Sequence, residues 1–497
     1  MRTASCALGL AIAAVIGITP GCAVGPDYKR PTIDAPDVFM GQKAVDARPA
    51  SQAVALAVWW QGYQDPLMTR FIERALAQNL SLAQAQARLA QAKAAYRGAR
   101  AALLPQGNVQ AEGAWARQSL QTPLGQLLNA TPKYDRDSGY YEGDAMASWE
   151  IDVFGGLRRG KEAAKAQYQA SEAGVVATRL AVAAQTADVY ITIRGLQARL
   201  SIARDQVSTR QRLLNTIKQQ FDRGVAARLQ VEQADGALAQ AAATIPVLES
   251  ALDDALNAMD VMLGAQPGTY QAELKAPTPI PSAPRLANTG TPANLIQRRP
   301  DLIAAERQLA AANAQIGVAV SDYYPKFSLG ALVGTATTSS HEIFSNGATQ
   351  AMGFAGLRWR LFDFGRVSAE IAAAKGRDAE ALAAYRLAVL RASEDVENSF
   401  SALVKYEVEA QTLVQGEASL TRARDLSTTA YQRGVVSLIE VLYADSALLA
   451  ASDARARAQA DAASAAAASF LALGGGWDVS PDAGPDDRQV AEIARQR

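Results

Sequence analysis

The chain contains a single histidine, His341. The side chain that most often serves as general base, proton shuttle and metal ligand is therefore present once only. It sits among Thr337, Thr338, Ser339 and Ser340, a setting that reads as an exposed loop rather than a metal site. No glycine-rich phosphate loop, nucleophile–histidine pair or histidine–cysteine cluster can be assembled from the remaining residues. The residues thus offer no reaction centre, an enzyme is not expected, and no metal or cofactor is implied. Lysine plus arginine equals aspartate plus glutamate, 49 each, so charge gives no reason to expect a nucleic-acid partner.

One modification remains chemically plausible. Residues 1–21 read as a signal peptide: Arg2 supplies the positive start, and the apolar run 8–18 is too short to span a bilayer as a helix. Thr19-Pro20-Gly21-Cys22 then resembles a bacterial lipobox, although Thr19 and Pro20 replace the residues usual at its start. Two readings are open: cleavage before Cys22 with lipid on its thiol and new amino group, or ordinary secretion with Cys22 unmodified. Cys6 lies in the discarded segment, so the mature chain holds one cysteine and cannot form an intrachain disulfide. Acyl chains on Cys22 would hold the protein at a membrane surface, each buried methylene adding roughly 0.8 kcal/mol. Ala23, uncharged, resembles the second residue of outer-membrane rather than inner-membrane lipoproteins.

The elements around these residues are written twice. Arg223-Gly224-Val225 recurs as Arg433-Gly434-Val435, 210 positions later, and Val231, Ala234, Asp235 and Leu238 recur at the same offset as Val441, Ala444, Asp445 and Leu448. Trp149, Phe154 and Gly155 recur as Trp359, Phe364 and Gly365. Further upstream the offset is 220, with Leu82, Ala85, Leu89, Ala90 and Pro105 matching Leu302, Ala305, Leu309, Ala310 and Pro325. A repeat of this length is a duplicated supersecondary block, and internal pseudo-symmetry of this kind suits rings, tubes and channels.

Residues 66–104 carry Leu82, Leu89 and Tyr96 seven apart and predict one helix ended by Pro105. Period-2 alternation predicts four strands. Val109, Ala111, Gly113 and Trp115 alternate with polar residues, as do Tyr141, Ala145, Ala147, Trp149, Ile151 and Val153. Phe327, Leu329, Ala331 and Val333, then Ala355, Leu357, Trp359 and Leu361, repeat the device. Trp149 fits an aromatic girdle. After each strand pair comes a proline-free stretch. Residues 157–223, about 67 of them, would reach roughly 100 Å as one helix, and the stretch is too charged to span a membrane. A second helix over 229–263 returns.

These elements give the following organisation: signal peptide 1–21; a lipidated, extended strap 22–65; a first repeat 66–263 with its hairpin at about 106–153 and helical hairpin at about 157–263; a proline-rich, extended connection 264–298; a second repeat 299–477 with its hairpin at about 327–362 and helical hairpin at about 366–473; and a disordered tail 478–497. Four amphipathic strands cannot survive alone in lipid, where every backbone polar group must be paired, and they are too few to close around water. Either identical subunits join, or the strands pack inside a soluble domain. Three copies would give twelve strands, an even antiparallel number.

A family resemblance rests on motifs spread along the mature chain. Gly21-Cys22-Ala23-Val24-Gly25-Pro26-Asp27-Tyr28 and Trp59-Trp60-Gln61-Gly62-Tyr63-Gln64-Asp65-Pro66 resemble the TolC-like outer-membrane factors, specifically the NodT-like lipoprotein subfamily. Arg298-Arg299-Pro300-Asp301-Leu302, Ala304-Ala305-Glu306-Arg307-Gln308-Leu309 and Leu473-Gly474-Gly475-Gly476-Trp477 follow in family order. The resemblance implies a mixed membrane α+β fold. Four transmembrane β-strands per chain would form a twelve-stranded trimeric β-barrel in the outer membrane, continued by a long α-helical barrel across the periplasm. It implies a homotrimer that contacts outer-membrane lipid, docks a periplasmic adaptor and, through it, an inner-membrane RND-type pump, and passively conducts small molecules to the exterior of a Gram-negative cell.

The resemblance also assigns sites. Arg223, Gly224, Val225 and Arg433, Gly434, Val435 would be the tips where the adaptor docks, although glycine also ends a helix without any docking role. Ile439, Glu440 and Tyr443 would narrow the periplasmic aperture, three symmetry-related Glu440 carboxylates favouring cations. Tyr443 stands where the family more often has aspartate, and the bland reading of Glu440 is a solvated helix face. Asp235 and Asp445 read as helix-to-helix hydrogen-bond partners in each repeat, or as lining the same mouth. The loops at 116–139 and around His341 would face the exterior. The rival class is a pore-less, lipid-anchored periplasmic coiled-coil scaffold, which leaves the four strands unexplained. A narrower rival is the exit duct of a type I protein secretion system.

Overall fold

In the computed structural model, which describes residues 23–34, 36–48, 56–132, 134–286 and 291–477, each proline-free stretch folds as one uninterrupted helix. The principal elements, in chain order, are α1 (Pro66–Gln78), α2 (Leu80–Ala101), β1 (Gln106–Arg117), β2 (Asp137–Ile151), α3 (Gly156–Asp222), α4 (Arg228–Ala242), α5 (Thr244–Met262), α6 (Pro300–Ser321), β3 (Lys326–Thr337), β4 (Thr349–Arg358), α7 (Arg366–Gln432) and α8 (Leu438–Ala472). Helices α3 and α7 are 67 residues each. No described helix is long and apolar enough to cross a membrane. Cys22, the signal-peptide segment 1–21 and the tail 478–497 lie outside the described residues.

Two predicted helices are in fact broken. The stretch 66–104 divides at Asn79, whose backbone is extended (ψ 128). The Asn79 side chain accepts hydrogen bonds from Ser81 N at 2.9 Å and Leu82 N at 3.1 Å, so it ends α1 and caps α2 in one residue. The stretch 229–263 divides at Ala243, just ahead of Pro246. Proline has no N–H to extend the ladder of α4, but is tolerated in the first turn of a new helix. Nor do the strap and the proline-rich connection run extended throughout. Short helices form at Gln42–Asp46, Leu56–Tyr63, Gln271–Leu274 and Pro292–Arg298. Pro292 occupies the first turn of its helix, where its fixed φ is already helical.

The chain forms two compact units, each drawing on both sequence repeats. Among the described residues, one comprises Ala23–Pro31, Ala90–Gln169 and Glu306–Ala383. It holds an antiparallel sheet in the order β1-β2-β3-β4. The registers pair odd residues with odd: Val109 with Ala145, Ala145 with Val333, Val333 with Ala351. One face therefore carries Val109, Trp115, Ala145, Trp149, Phe327, Leu329, Val333 and Leu357. The other carries Glu112, Glu142, Asp144, Glu150, Ser328, Gln350 and Arg358. Leu332, Met352 and Phe354 also fall on this second face, so it is less purely polar than alternation predicts. Both helices that leave the sheet are capped by carboxylates. Asp152 accepts from Leu157 N and Arg158 N at 3.0 and 2.8 Å, and Asp363 from Gly365 N and Val367 N at 3.1 and 2.8 Å. The backbone donors from Val367 and Gly365 hold the Asp363 carboxyl below its usual range. The loop between β1 and β2 holds a further short helix, Pro123–Asn129, whose Thr122 hydroxyl accepts from Gly125 N at 3.1 Å.

The other unit comprises the described residues of Thr32–Leu89, Ala170–Ala305 and Ala384–Trp477. Its core explains several of the spread-out motifs. Trp59 stacks on Phe470 at 5.4 Å between centroids and meets Trp60 edge-on. Tyr63 donates its hydroxyl to Ala463 O at 2.7 Å, and Gly476 N donates to Leu56 O at 2.6 Å. Burial pushes the Tyr190 hydroxyl up to about 12, with the Asp65 carboxylate it bonds at 2.7 Å adding to the rise. Arg299 donates to Asp301, Asp395 and the Ala472 carbonyl. The Trp59-Trp60, Arg298-Arg299-Pro300 and Gly474-Gly475-Gly476 runs are thus joined through one core, and packing accounts for their residue types.

Candidate mouth and docking tips

Each long helix ends in the same turn. Gly224 and Gly434 adopt φ +74 and +72, a region costly for residues with a Cβ. At the first turn Gly224 N donates to Phe221 O at 2.8 Å and Val225 N to Gln220 O at 2.9 Å. At the second, Gly434 N donates to Tyr431 O and Val435 N to Ala430 O, both at 2.9 Å. Both are Schellman motifs, satisfying carbonyls that the helix end would otherwise leave bare. Arg223, Val225, Arg433 and Val435 are all exposed around these turns, so each tip presents one arginine and one valine beside a glycine of positive φ.

What holds the tips is a small apolar cluster. Leu214, Ile217, Ala234 and Leu438 are buried together, flanked by Val231, Leu238, Tyr431 and Leu442. Tyr431 also donates to Gln220 Oε1 at 3.2 Å, and burial raises its pKa. This cluster ties the end of α3 to α4, α7 and α8, fixing which face of α8 remains outside.

On α8 the burial alternates with the helical period. Leu438, Val441 and Asp445 are buried, whereas Ile439, Glu440 and Tyr443 are exposed. Ile439 and Tyr443 are four residues apart and share a face, with Glu440 beside them. The structure therefore brings the three residues assigned to the aperture onto one solvent-facing stripe, immediately after the second tip.

The two repeated aspartates part company. Asp445 is buried and accepts from Arg210 Nε at 2.9 Å and from the Gln206 side chain. Arg210 completes its bonds with Ala237 O at 2.7 Å and Ser446 Oγ at 2.9 Å. Asp235 is exposed. Helix-to-helix bonding is therefore a property of Asp445, while Asp235 faces solvent. Arg210 and Gln206 were not singled out from the sequence. Their signal lay in the repeat itself, where the equivalent positions hold Leu420 and Gly416. His341 sits in a short turn between β3 and β4 and is exposed.

The tryptophans at the strand ends have a polar role that alternation did not reveal. Trp149 Nε1 donates to Leu103 O at 3.0 Å and Trp359 Nε1 to Tyr323 O at 3.0 Å. Each indole thus satisfies a carbonyl just beyond the helix preceding its hairpin, at equivalent places in the two repeats. The residues following Cys22 are similarly fixed. Val24 N donates to Phe154 O at 3.0 Å, and Arg159 pairs with Asp27 at 2.7 Å while donating to the Val24 and Gly25 carbonyls. Tyr28 donates its hydroxyl to Glu306, which also pairs with Arg307.

The chain matches the outer membrane efflux protein family over residues 71–265 and 291–475. It is 30% identical to outer membrane protein OprJ of Pseudomonas aeruginosa over 467 residues, covering 94% of this chain and 95% of that protein. It is 29% identical to nodulation protein T of Rhizobium leguminosarum bv. trifolii, covering 93% and 96%. Among solved structures, the outer-membrane channel OprN superposes with a TM-score of 0.83 at 31% identity, covering 92% of this chain and all of that one. Matched along nearly its whole described length in sequence and in fold, the chain belongs to the outer membrane efflux protein family.

Proposed function

We propose that this chain is one of three identical subunits of an outer-membrane exit duct, which passively conducts small molecules received from an inner-membrane RND-type pump and a periplasmic adaptor. The observation that carries this reading is the sheet: four strands with one apolar face and two open edges, β1 and β4, in a chain of the efflux family. In lipid those edges require partners. Three copies supply twelve strands, with Glu112, Glu142 and Asp144 turned to the water inside. The repeats 66–263 and 299–477 then act as two pseudo-equivalent staves per subunit.

The helical hairpins form the periplasmic tunnel on this reading, and the duct performs no catalysis. Arg223-Gly224-Val225 and Arg433-Gly434-Val435 dock the adaptor, and Ile439, Glu440 and Tyr443 constrict the mouth. Cys22 carries acyl chains that add a lipid anchor. Support for the tips comes from their exposed, hydrogen-bonded Schellman geometry, and for the mouth from the exposed stripe on α8. Detergent-purified protein tests the whole: native mass measurement should give a trimer, and planar bilayers should show steady single-channel conductance. A monomer, or a trimer that passes no current, would overturn the reading.

A further inference from the structure

The two hairpins obey one register. In β1–β2, Val109 faces Ala145 and Gly113 faces Tyr141; in β3–β4, Leu329 faces Ala355 and Val333 faces Ala351. Moving the first strand by 220 positions and the second by 210 turns one set of pairs into the other, with the same offsets that relate the sequence repeats. The junction between the hairpins pairs Trp149 with Leu329, Ala147 with Ala331, Ala145 with Val333 and Gly143 with Thr335. Among the described residues, the outer edges of β1 and β4 pair with no further strand.

We infer that β4 of one copy pairs antiparallel with β1 of the next in the register of this internal junction, carried across by the repeat. Trp359 then lies opposite Val109, Leu357 opposite Ala111, Ala355 opposite Gly113, and Gly353 opposite Trp115. The inference rests on the trimeric reading and specifies its seam. Three independent features favour this register. First, odd residues again meet odd, so the apolar face continues without a flip; a slip of one residue would reverse every side chain.

Second, sizes match. Trp115 is 69% exposed on the β1 edge, and Gly353 has open space where a Cβ would stand. The register lays the indole over that glycine. The sheet already uses this device internally, with the Phe354 ring covering Gly330 across β3–β4.

Third, the residues below the strands are complementary. At the internal junction Phe154 stacks on Tyr324 at 4.5 Å. The seam equivalents, Phe364 and Leu104, are both exposed large apolar side chains and would meet. Arg159 lies against Gly317 in the chain. At the seam the pair becomes Ala369 with Arg97, both exposed, so the large and small members exchange sides.

Disulfide trapping in the full chain, inserted in outer membranes, tests the register with four substitutions. Ala111→Cys is combined with Leu357→Cys, and Gly113→Cys with Ala355→Cys, as matched pairs. The same substitutions recombined as 111 with 355 and 113 with 357 are shifted by two residues in opposite directions. Directly opposed residues fall within the Cα separation a disulfide tolerates, whereas diagonal neighbours exceed it. Single-cysteine variants set the background from Cys22. Both matched pairs should yield covalent trimers under a mild oxidant, several-fold more than either recombined pair. Recombined pairs that cross-link as well or better would overturn the register, as would four silent pairs in protein that still purifies as a trimer, and both leave the trimeric reading intact. Protein that purifies as a monomer, in the wild type as well, would remove seam and trimeric reading together.

Discussion

Arg210 donates its Nε–H to the Asp445 carboxylate at 2.9 Å, with both side chains about 95% removed from solvent. The pair joins α3 to α8 two residues beyond Tyr443, the last of the exposed residues Ile439, Glu440 and Tyr443. Asp445 Oδ2 also receives the Gln206 amide, while Oδ1 has no partner among the described residues. A buried carboxylate bonded on one oxygen depends heavily on its guanidinium.

Removing one member should therefore be costly. Arg210→Ala is expected to destabilise the tip region by about 3–5 kcal/mol, because it strands a buried charge. Asp235→Ala, at the equivalent exposed position, should change stability by less than about 0.5 kcal/mol. Hydrogen exchange of amides in α4 and in the first turns of α8 measures both. Arg210→Leu combined with Asp445→Leu should recover most of the loss, since an apolar pair needs no desolvation. Equal protection in Arg210→Ala and wild type would show that the ion pair does not hold the helices.

This pair also marks what the sequence discloses. The duplication, the strands and the long helices were legible because periodicity and proline placement state them directly. The two aspartates recur identically, yet only one is buried. The difference lies in their partners, Arg210 and Gln206 in one repeat against Leu420 and Gly416 in the other. The breaks at Asn79 and Ala243 were missed because helical periodicity continues through them. A side-chain cap and a proline two residues inside a new helix are local chemistry that a hydrophobic pattern does not register. The indole bonds of Trp149 and Trp359 were hidden for the same reason: alternation reports which face a residue takes, not which carbonyl it finds.

The tips should separate folding from coupling. Gly434→Val forces a β-branched residue into positive φ and is expected to cost roughly 1–2 kcal/mol at one turn, too little to prevent assembly. If the turn docks the adaptor, trimer yield should persist while efflux, read as drug susceptibility of a strain lacking its own duct, falls sharply. Unchanged efflux in a normally assembled variant would leave the glycine with only its helix-ending role.

Glu440 should act through charge alone. Its neighbours Ile439 and Tyr443 are exposed with it, and no described side chain is hydrogen-bonded or ion-paired to its carboxylate. Glu440→Gln keeps the shape, so trimer stability should match wild type. In planar bilayers the variant should lose much of its cation preference, measured as the reversal potential in a salt gradient, and the difference should shrink in concentrated salt as screening grows. An identical reversal potential would place Glu440 away from the conduction path.

The segment after Cys22 should detach in acid. Glu306 is buried, which alone would raise its pKa, but the Arg307 guanidinium, the Tyr28 hydroxyl and the charge of Arg30 outweigh burial and hold it below its ordinary value. The folded-state value is thus lower than the unfolded one. The stabilisation is complete above the ordinary carboxylate range and is lost as pH falls through the depressed value. Once protonated, Glu306 no longer pairs with Arg307 or accepts strongly from Tyr28. Amide exchange of residues 24–30, corrected for intrinsic rate, should therefore rise below that pH while the β-strands stay protected. Glu306→Gln should show fast exchange of this segment already at neutral pH, with a flatter profile. A segment that stays protected in the variant would mean that the backbone bonds from Val24 to Phe154 and from Arg159 suffice to hold it.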